Sequence, residues 1–366
     1  MFDTFTSQSI PILFFYKNSD KMTRKRKILL IYTGGTIGMV KDYKTNTLKA
    51  FDFSQILDKI PELNQLDCQI RSVSFENPID SSNMNTRYYV QIAEIIENNY
   101  DDFDGFVVLT GSDTMSYTSS TISFMLEHLK KPVIFTGSQL PIGYLRTDAK
   151  ENLITSIEIA SAYKDDKPIV SEVCLYFEYK LYRANRTTKL SAEQFEAFAS
   201  MNYPPLAESG VHLNFHDDLL VSPTGNSQLI VRKNLCSDIV VLKLFPGISL
   251  TFVSSVLNTK NLKGVILETY GAGNAPDDSR FIKLLKATIE KGIHIVNVTQ
   301  CAGGSVLLGH YETSSQLKKI GIIDAKDMTT ESAVAKLMYL LGIGIQKEEF
   351  VMLYEQSLRG EMSNIK

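Results

Sequence analysis

Short, nearly continuous apolar runs recur along the chain, each closed by a turn signal. Lys27–Tyr32 ends at Thr-Gly-Gly, Gly105–Leu109 at Thr-Gly-Ser, and Pro132–Phe135 at Thr-Gly-Ser-Gln. Val173–Phe177, Ile239–Leu244, Val265–Leu267 and His294–Val298 repeat the pattern. Runs of this length, rich in β-branched residues, predict strands buried on both faces and hence a parallel sheet. Helical spacing separates them. Tyr88, Ile92, Ile95 and Ile96 share one face of Arg87–Asn99, and Phe281, Leu284, Leu285 and Ile289 one face of Ser279–Lys291, with Gly292 as its stop. Met115–Leu129 predicts another helix, and Thr330–Leu341 a further one with Thr330 as N-cap and Gly342 past its end. Alternating strand, turn and helix predict an α/β fold with doubly wound, mainly parallel sheets.

Neither period holds over residues 214–234, which are expected to link a larger N-terminal domain, 22–213, to a smaller α/β domain, 235–366. A length of 366 residues suits two domains. Residues 1–21 contain one apolar run, Ile10–Tyr16, with nothing basic before it and no small-residue cleavage site after it. That is not a signal peptide, and the segment is expected to be a disordered extension ahead of Met22. The net charge is −3, which gives no electrostatic footprint for nucleic acid or an anionic membrane. The longest stretch free of Asp, Glu, Lys and Arg, Leu244–Thr259, is broken by Pro246-Gly247 and is shorter than the roughly 20 residues a membrane span needs. Four separated cysteines form no C-x-x-C, which excludes a disulfide scaffold and a zinc ribbon and fits a reducing, cytoplasmic compartment.

Ligands of open α/β sheets bind beyond the carboxyl ends of the strands, so the turns there are where chemistry is sought. Thr33-Gly34-Gly35-Thr36-Ile37-Gly38 lacks the spacing of a dinucleotide loop and the lysine of a P-loop. Its glycines permit positive φ, and Thr36 follows them on accessible backbone, where a hydroxyl nucleophile could meet a carbonyl beside N–H donors. Thr110-Gly111-Ser112-Asp113-Thr114 sets a hydroxyl and a carboxylate side by side, either as a helix cap or as a reactive pair. Lys189 closes the polar run Arg186-Thr187-Thr188, either as a solvated charge or as a third member of that set. Asp80-Ser81-Ser82-Asn83-Met84 reads as a helix start or as a binding turn for a small zwitterion. His212 and His216 lack the glutamate of H-E-x-x-H, and G-x-S-x-G does not occur.

Taken together these stretches resemble the asparaginase/glutaminase family of the bacterial kind, in particular its cytoplasmic type I branch. Ile31–Gly38 matches the N-terminal signature, and Lys131–Pro141, Leu181–Lys189, Phe195–Ser200, Tyr270–Pro276 and Leu358–Glu361 match further stretches, from about residue 27 to the end. The resemblance implies hydrolysis of the side-chain amide of L-asparagine to aspartate and ammonia, without metal or cofactor, by a homodimer or homotetramer. It implies Thr36 as nucleophile, with Ser112, Asp113 and Lys189 as the second catalytic set. Asp80, Ser81 and Ser82, together with Ser112 and Asp113, would bind substrate. Three positions depart from the family pattern. The second signature carries Thr110 for histidine and Ser112 for threonine; the lid offers Tyr43, or Leu48 in its place; and Glu268 stands where an arginine is expected in an allosteric pocket otherwise matched by Thr188, Thr299, Gln300 and Cys301. A carboxylate cannot clamp a ligand carboxylate as guanidinium does, which argues against activation by asparagine. Glutaminase, the amidase subunit of a tRNA-dependent amidotransferase and a weakly catalytic amino-acid sensor are the alternative functions.

Overall fold

In the computed structural model, which describes residues 24–42, 47–50, 60–222, 227–310 and 312–363, the apolar runs form the strands of two sheets. The first sheet has eight strands: β1 (Arg26–Gly34), β2 (Cys68–Ile79), β3 (Gly105–Leu109), β4 (Val133–Thr136), β5 (Val173–Phe177), β6 (Lys180–Arg183), β7 (Ala207–Ser209) and β8 (Leu213–Phe215). Their order is β8-β7-β6-β5-β4-β3-β1-β2. Pairing is parallel from β2 through β5 and antiparallel from β5 to β8. Helices α1 (Thr86–Asn98) and α2 (Met115–Met125) cover one face, where Ile92, Ile96 and Ile122 join Ile31, Phe106 and Val108. Helix α3 (Ala149–Ser161) covers the other, with Leu153 and Ile157 against Leu30, Val107 and Ile134. Each such side chain, fully withdrawn from water, contributes about 1.5–3 kcal/mol.

The second sheet is parallel throughout, in the order β9 (Ile239–Lys243), β10 (Gly264–Thr269), β11 (His294–Thr299) and β12 (Ile323–Asp324). On one face lie α4 (Leu250–Leu257) and α5 (Ser279–Glu290), with Val253, Phe281 and Leu285 buried. On the other, α7 (Thr330–Gly342), which follows α6 (Glu312–Lys319) and precedes α8 (Lys347–Glu355), lays Ala333, Leu337 and Leu340 against Ile266 and Val296. Helix α7 also packs on α2, where Tyr339 stacks on Phe124 at 5.9 Å and its hydroxyl donates to Glu127. Ten of the eleven residues of α2 are buried although six carry hydroxyls: Ser116, Thr118, Ser119, Ser120, Thr121 and Ser123. Thr118, Thr121 and Ser123 satisfy theirs on the helix's own carbonyls.

All seven expected strands form, and several boundaries differ from the sequence reading. Helix α2 stops at Met125 because Leu126–Glu127 pairs antiparallel with Ile230–Val231. Helix α7 is capped by Thr329, whose hydroxyl accepts from the Ser332 amide, and not by Thr330, whose hydroxyl donates to Glu268 at 2.6 Å. Residue 214 lies inside β8. Tyr43 and residues 1–21 lie outside the described residues. Among the described residues no helix is long and apolar enough to cross a membrane.

Candidate active site

Strand β1 has β2 on one side and β3 on the other, so the connection from β1 to β2 runs one way along the sheet and the next, from β2 to β3, runs back past β1. A crevice at such a switch point is where an open α/β sheet binds its ligand. The turns after β1, β2 and β3 converge there. Gly35, at φ 89°, approaches Gly111 so closely that a Cβ on it would lie 2.4 Å from the Gly111 nitrogen. Only glycine permits that contact, and it brings together the two turns whose next residues are Thr36 and Ser112. A Cβ on Gly111 would in turn lie 2.6 Å from Ser81 Oγ, and the Thr114 hydroxyl donates to the Ser81 carbonyl at 2.8 Å. The turn of Asp80, Ser81 and Ser82 is thereby the third wall.

Lys189 comes from the far side. Its Nζ donates to Ser112 Oγ at 2.9 Å and to Asp113 Oδ1 at 2.6 Å. The lysine side chain is mostly covered, at 15% exposed, whereas Asp113 is 70% exposed and open to an incoming charged group. Neither Ser112 nor Asp113 caps α2, so the capping alternative fails for both. Asp80 does cap, accepting from the Ser82 amide and hydroxyl at 2.8 Å each, and these two donors hold its carboxyl below the usual range. Helix α2 also fixes the approach of Lys189. Thr187, whose own proton goes to the Ala184 carbonyl at 2.7 Å, accepts from Ser116 Oγ at 3.0 Å, and Asn185 donates to Ser123 Oγ at 3.2 Å, so the segment that carries Lys189 is laid along the helix that begins beside Ser112 and Asp113.

Two residues passed over in the sequence complete the arrangement. Ser112 Oγ donates to Gln139 Oε1 at 3.2 Å, and buried Asp148 accepts the amides of Gln139 and Leu140 at 2.8 and 3.0 Å. The available signal was position: Thr136-Gly137-Ser138-Gln139 closes β4 as the other turns close β1 and β3.

Thr188, Glu268, Thr299, Gln300 and Cys301 line a single cavity of about 260 Å³, joined by Tyr117 and Glu331. Its charged groups are two carboxylates. Glu268 accepts from Thr330 and pairs with Lys243 at 3.2 Å, while Glu331 accepts from Thr188 at 2.6 Å. Burial pushes the Glu331 carboxyl up, and Glu268 adds to it.

Comparison with known proteins agrees with this architecture. The family model for the asparaginase N-terminal domain matches residues 27–220, and that for the glutaminase/asparaginase C-terminal domain matches residues 238–353. L-asparaginase 1 of Escherichia coli K12 is 40% identical over 341 residues, covering 93% of this chain and 99% of that one. The 60 kDa lysophospholipase of Mus musculus is 38% identical over 93% of this chain, which spans 63% of that longer protein. The crystal structure of L-asparaginase I from Vibrio cholerae superposes with a TM-score of 0.85 at 38% identity, over 93% of this chain and all of that one. Two domain matches that together span most of the chain, the shared fold and the convergence of the signature turns lead to one conclusion: the chain belongs to the asparaginase/glutaminase family.

Proposed function

We propose that the protein hydrolyses the side-chain amide of L-asparagine to L-aspartate and ammonia through an ester on Thr36. The observation that carries this reading is the Lys189 ammonium position, 2.9 Å from Ser112 Oγ and 2.6 Å from Asp113, beside the turn that presents Thr36. In the first half-reaction the Thr36 oxygen bonds to the amide carbon, its proton passes toward the Ser112–Lys189 pair, and the C–N bond breaks as the nitrogen takes up a proton and leaves as ammonia. In the second, water attacks the ester carbon and returns the proton to Thr36. A lysine accepts a proton only in its neutral form, so the set works in the state where Lys189 has released one. Backbone N–H groups of the Gly35 and Gly111 turns, which meet beside Thr36, supply the donors for the developing oxyanion in this reading. The exposed carboxylate of Asp113 suits the substrate ammonium, and the 80–82 turn, whose Ser82 donors are held by Asp80, offers its carboxylate end the Ser81 groups.

The wider reading has residues 22–213 carrying the catalytic groups, 214–234 as linker and 235–366 as the second domain, in a cytoplasmic homodimer or homotetramer. Ammonia release from L-asparagine and from L-glutamine, with Thr36→Ala as control, tests the function. Wild type is expected to exceed the variant by orders of magnitude on asparagine. Faster release from glutamine would make it a glutaminase, and parity with Thr36→Ala while asparagine still binds would make it a sensor.

A further inference from the structure

We propose that Gln139 is a positioning residue that dictates which way the Ser112 hydroxyl points, and through it what Lys189 meets. This rests on the asparagine-hydrolysing reading above. The side-chain amide of Gln139 is fixed in one orientation, because its Nε2 donates to two groups that can only accept, the carbonyls of Ala192 at 3.3 Å and Gln194 at 3.0 Å. The atom turned toward Ser112 is therefore Oε1, which can only accept. Ser112 has a single hydroxyl proton, and Gln139 Oε1 takes it at 3.2 Å. A lone pair of Ser112 Oγ is thereby left facing Lys189 Nζ at 2.9 Å.

The consequence is a resting direction for the hydrogen-bond chain. Lys189 donates to Ser112, Ser112 donates to Gln139, and Gln139 donates to the 192–194 loop that follows Lys189 in the chain. Without Gln139 the Ser112 rotor has no fixed acceptor, and the lone pair that seats Lys189 between Ser112 and Asp113 is no longer held in place. Gln139 itself cannot drift, since buried Asp148 grips its own amide and that of Leu140, and Asn152 donates to the same carboxylate at 3.3 Å. Gln139 thus couples two segments distant in sequence, the turn after β3 and the loop beyond Lys189, through one rigid amide.

The test is a double-mutant cycle with Ser112, read as ammonia release from L-asparagine. Gln139→Met is expected to lower kcat about ten- to hundredfold, the cost of one lost orienting hydrogen bond in a proton-transfer chain, with KM little changed. In a Ser112→Ala background the same substitution is expected to cost nothing more, because there is no hydroxyl left to orient. Gln139→Glu keeps an acceptor for Ser112 but removes the Nε2 donors, and is expected to retain more kcat than Gln139→Met. A Gln139→Met enzyme as fast as wild type, a penalty that multiplies undiminished in the Ser112→Ala background, or equal losses for Met and Glu would each overturn the proposal; the last would make Gln139 an anchor for the 192–194 loop alone. If wild type releases no more ammonia than Thr36→Ala, the functional reading itself has failed, a different result from any of these.

Discussion

The ion pair between Lys336 and Glu361 offers a demanding test of how the chain is held together. Both side chains are 0% exposed, and Nζ lies 2.5 Å from Oε1. Burial alone would push the Glu361 carboxyl up, but Lys336 and the amides of Leu358 and Arg359 outweigh it and hold the carboxyl below its ordinary range. Glu361→Ala would leave a buried ammonium with one remaining acceptor, the Gln356 carbonyl, and would orphan two amides. Breaking one side of a buried pair costs about 3–5 kcal/mol. Lys336→Met should cost less, because the carboxylate keeps its two amide donors. The assay is urea unfolding of wild type, the two single variants and the double variant Lys336→Met/Glu361→Ala, followed by far-UV dichroism because the chain carries no tryptophan. Comparison is valid only where the slope with denaturant is unchanged. The double variant is expected to be more stable than Glu361→Ala alone, since no uncompensated charge remains. A loss below about 1 kcal/mol for Glu361→Ala, within the range of a solvent-exposed ion pair, would refute the reasoning. The sign with pH follows from the depressed carboxyl: the contribution of Glu361 is complete above the unfolded glutamate range, near 4.3, and is lost as pH falls through its lower folded value. Acid unfolding of wild type should therefore steepen below about pH 4 relative to Glu361→Gln.

Two further outcomes are expected. Glu178 is raised to about 7 by burial first and then by Asp148, Glu151 and Glu196, so the cost of its charge to the folded state builds from the ordinary glutamate range up to neutrality and is complete above it. Glu178→Gln should raise the unfolding midpoint at pH 8 and leave it unchanged at pH 4; a gain at pH 4 as large as at pH 8 would contradict this. With Glu268 and Glu331 as its charged groups, the cavity beside Thr188 and Cys301 offers, among the described residues that line it, no cation for a ligand carboxylate. The rate against L-asparagine concentration should be hyperbolic and unaltered by Cys301→Ala; a sigmoidal curve abolished by that substitution would show the cavity to be a working activator site.

Much of this arrangement was legible from the chain because buried strands and signature turns are local facts. Ile28–Tyr32 and Phe106–Leu109 are apolar throughout since both faces of the sheet are covered, and that is the signal a parallel strand leaves. Strand β2 left none: it lies at the sheet edge, most of its residues are exposed, and its pairing slips between Tyr32–Ser74 and Gly34–Ile79. The cap of α7 was misplaced by one residue because two adjacent threonines compete for the role, and only the acceptor at Glu268 distinguishes them. Gln139 was invisible for another reason. Its importance lies in the direction of an amide whose partners, Ala192 and Gln194, are backbone carbonyls some fifty residues away. A linear reading carries the identity of a side chain but not the polarity of its surroundings.

Helix α2 has an implication for how the molecule comes apart. Its serines and threonines are short enough to let α7 approach on one side and the segment of residues 184–187 on the other, and Ser112 and Asp113 stand at its start. One rod thus gauges both the seat of the second domain and the reach of Lys189. Heating should therefore show no temperature range in which the halves have separated while turnover persists: inactivation and domain parting share a single mechanical cause.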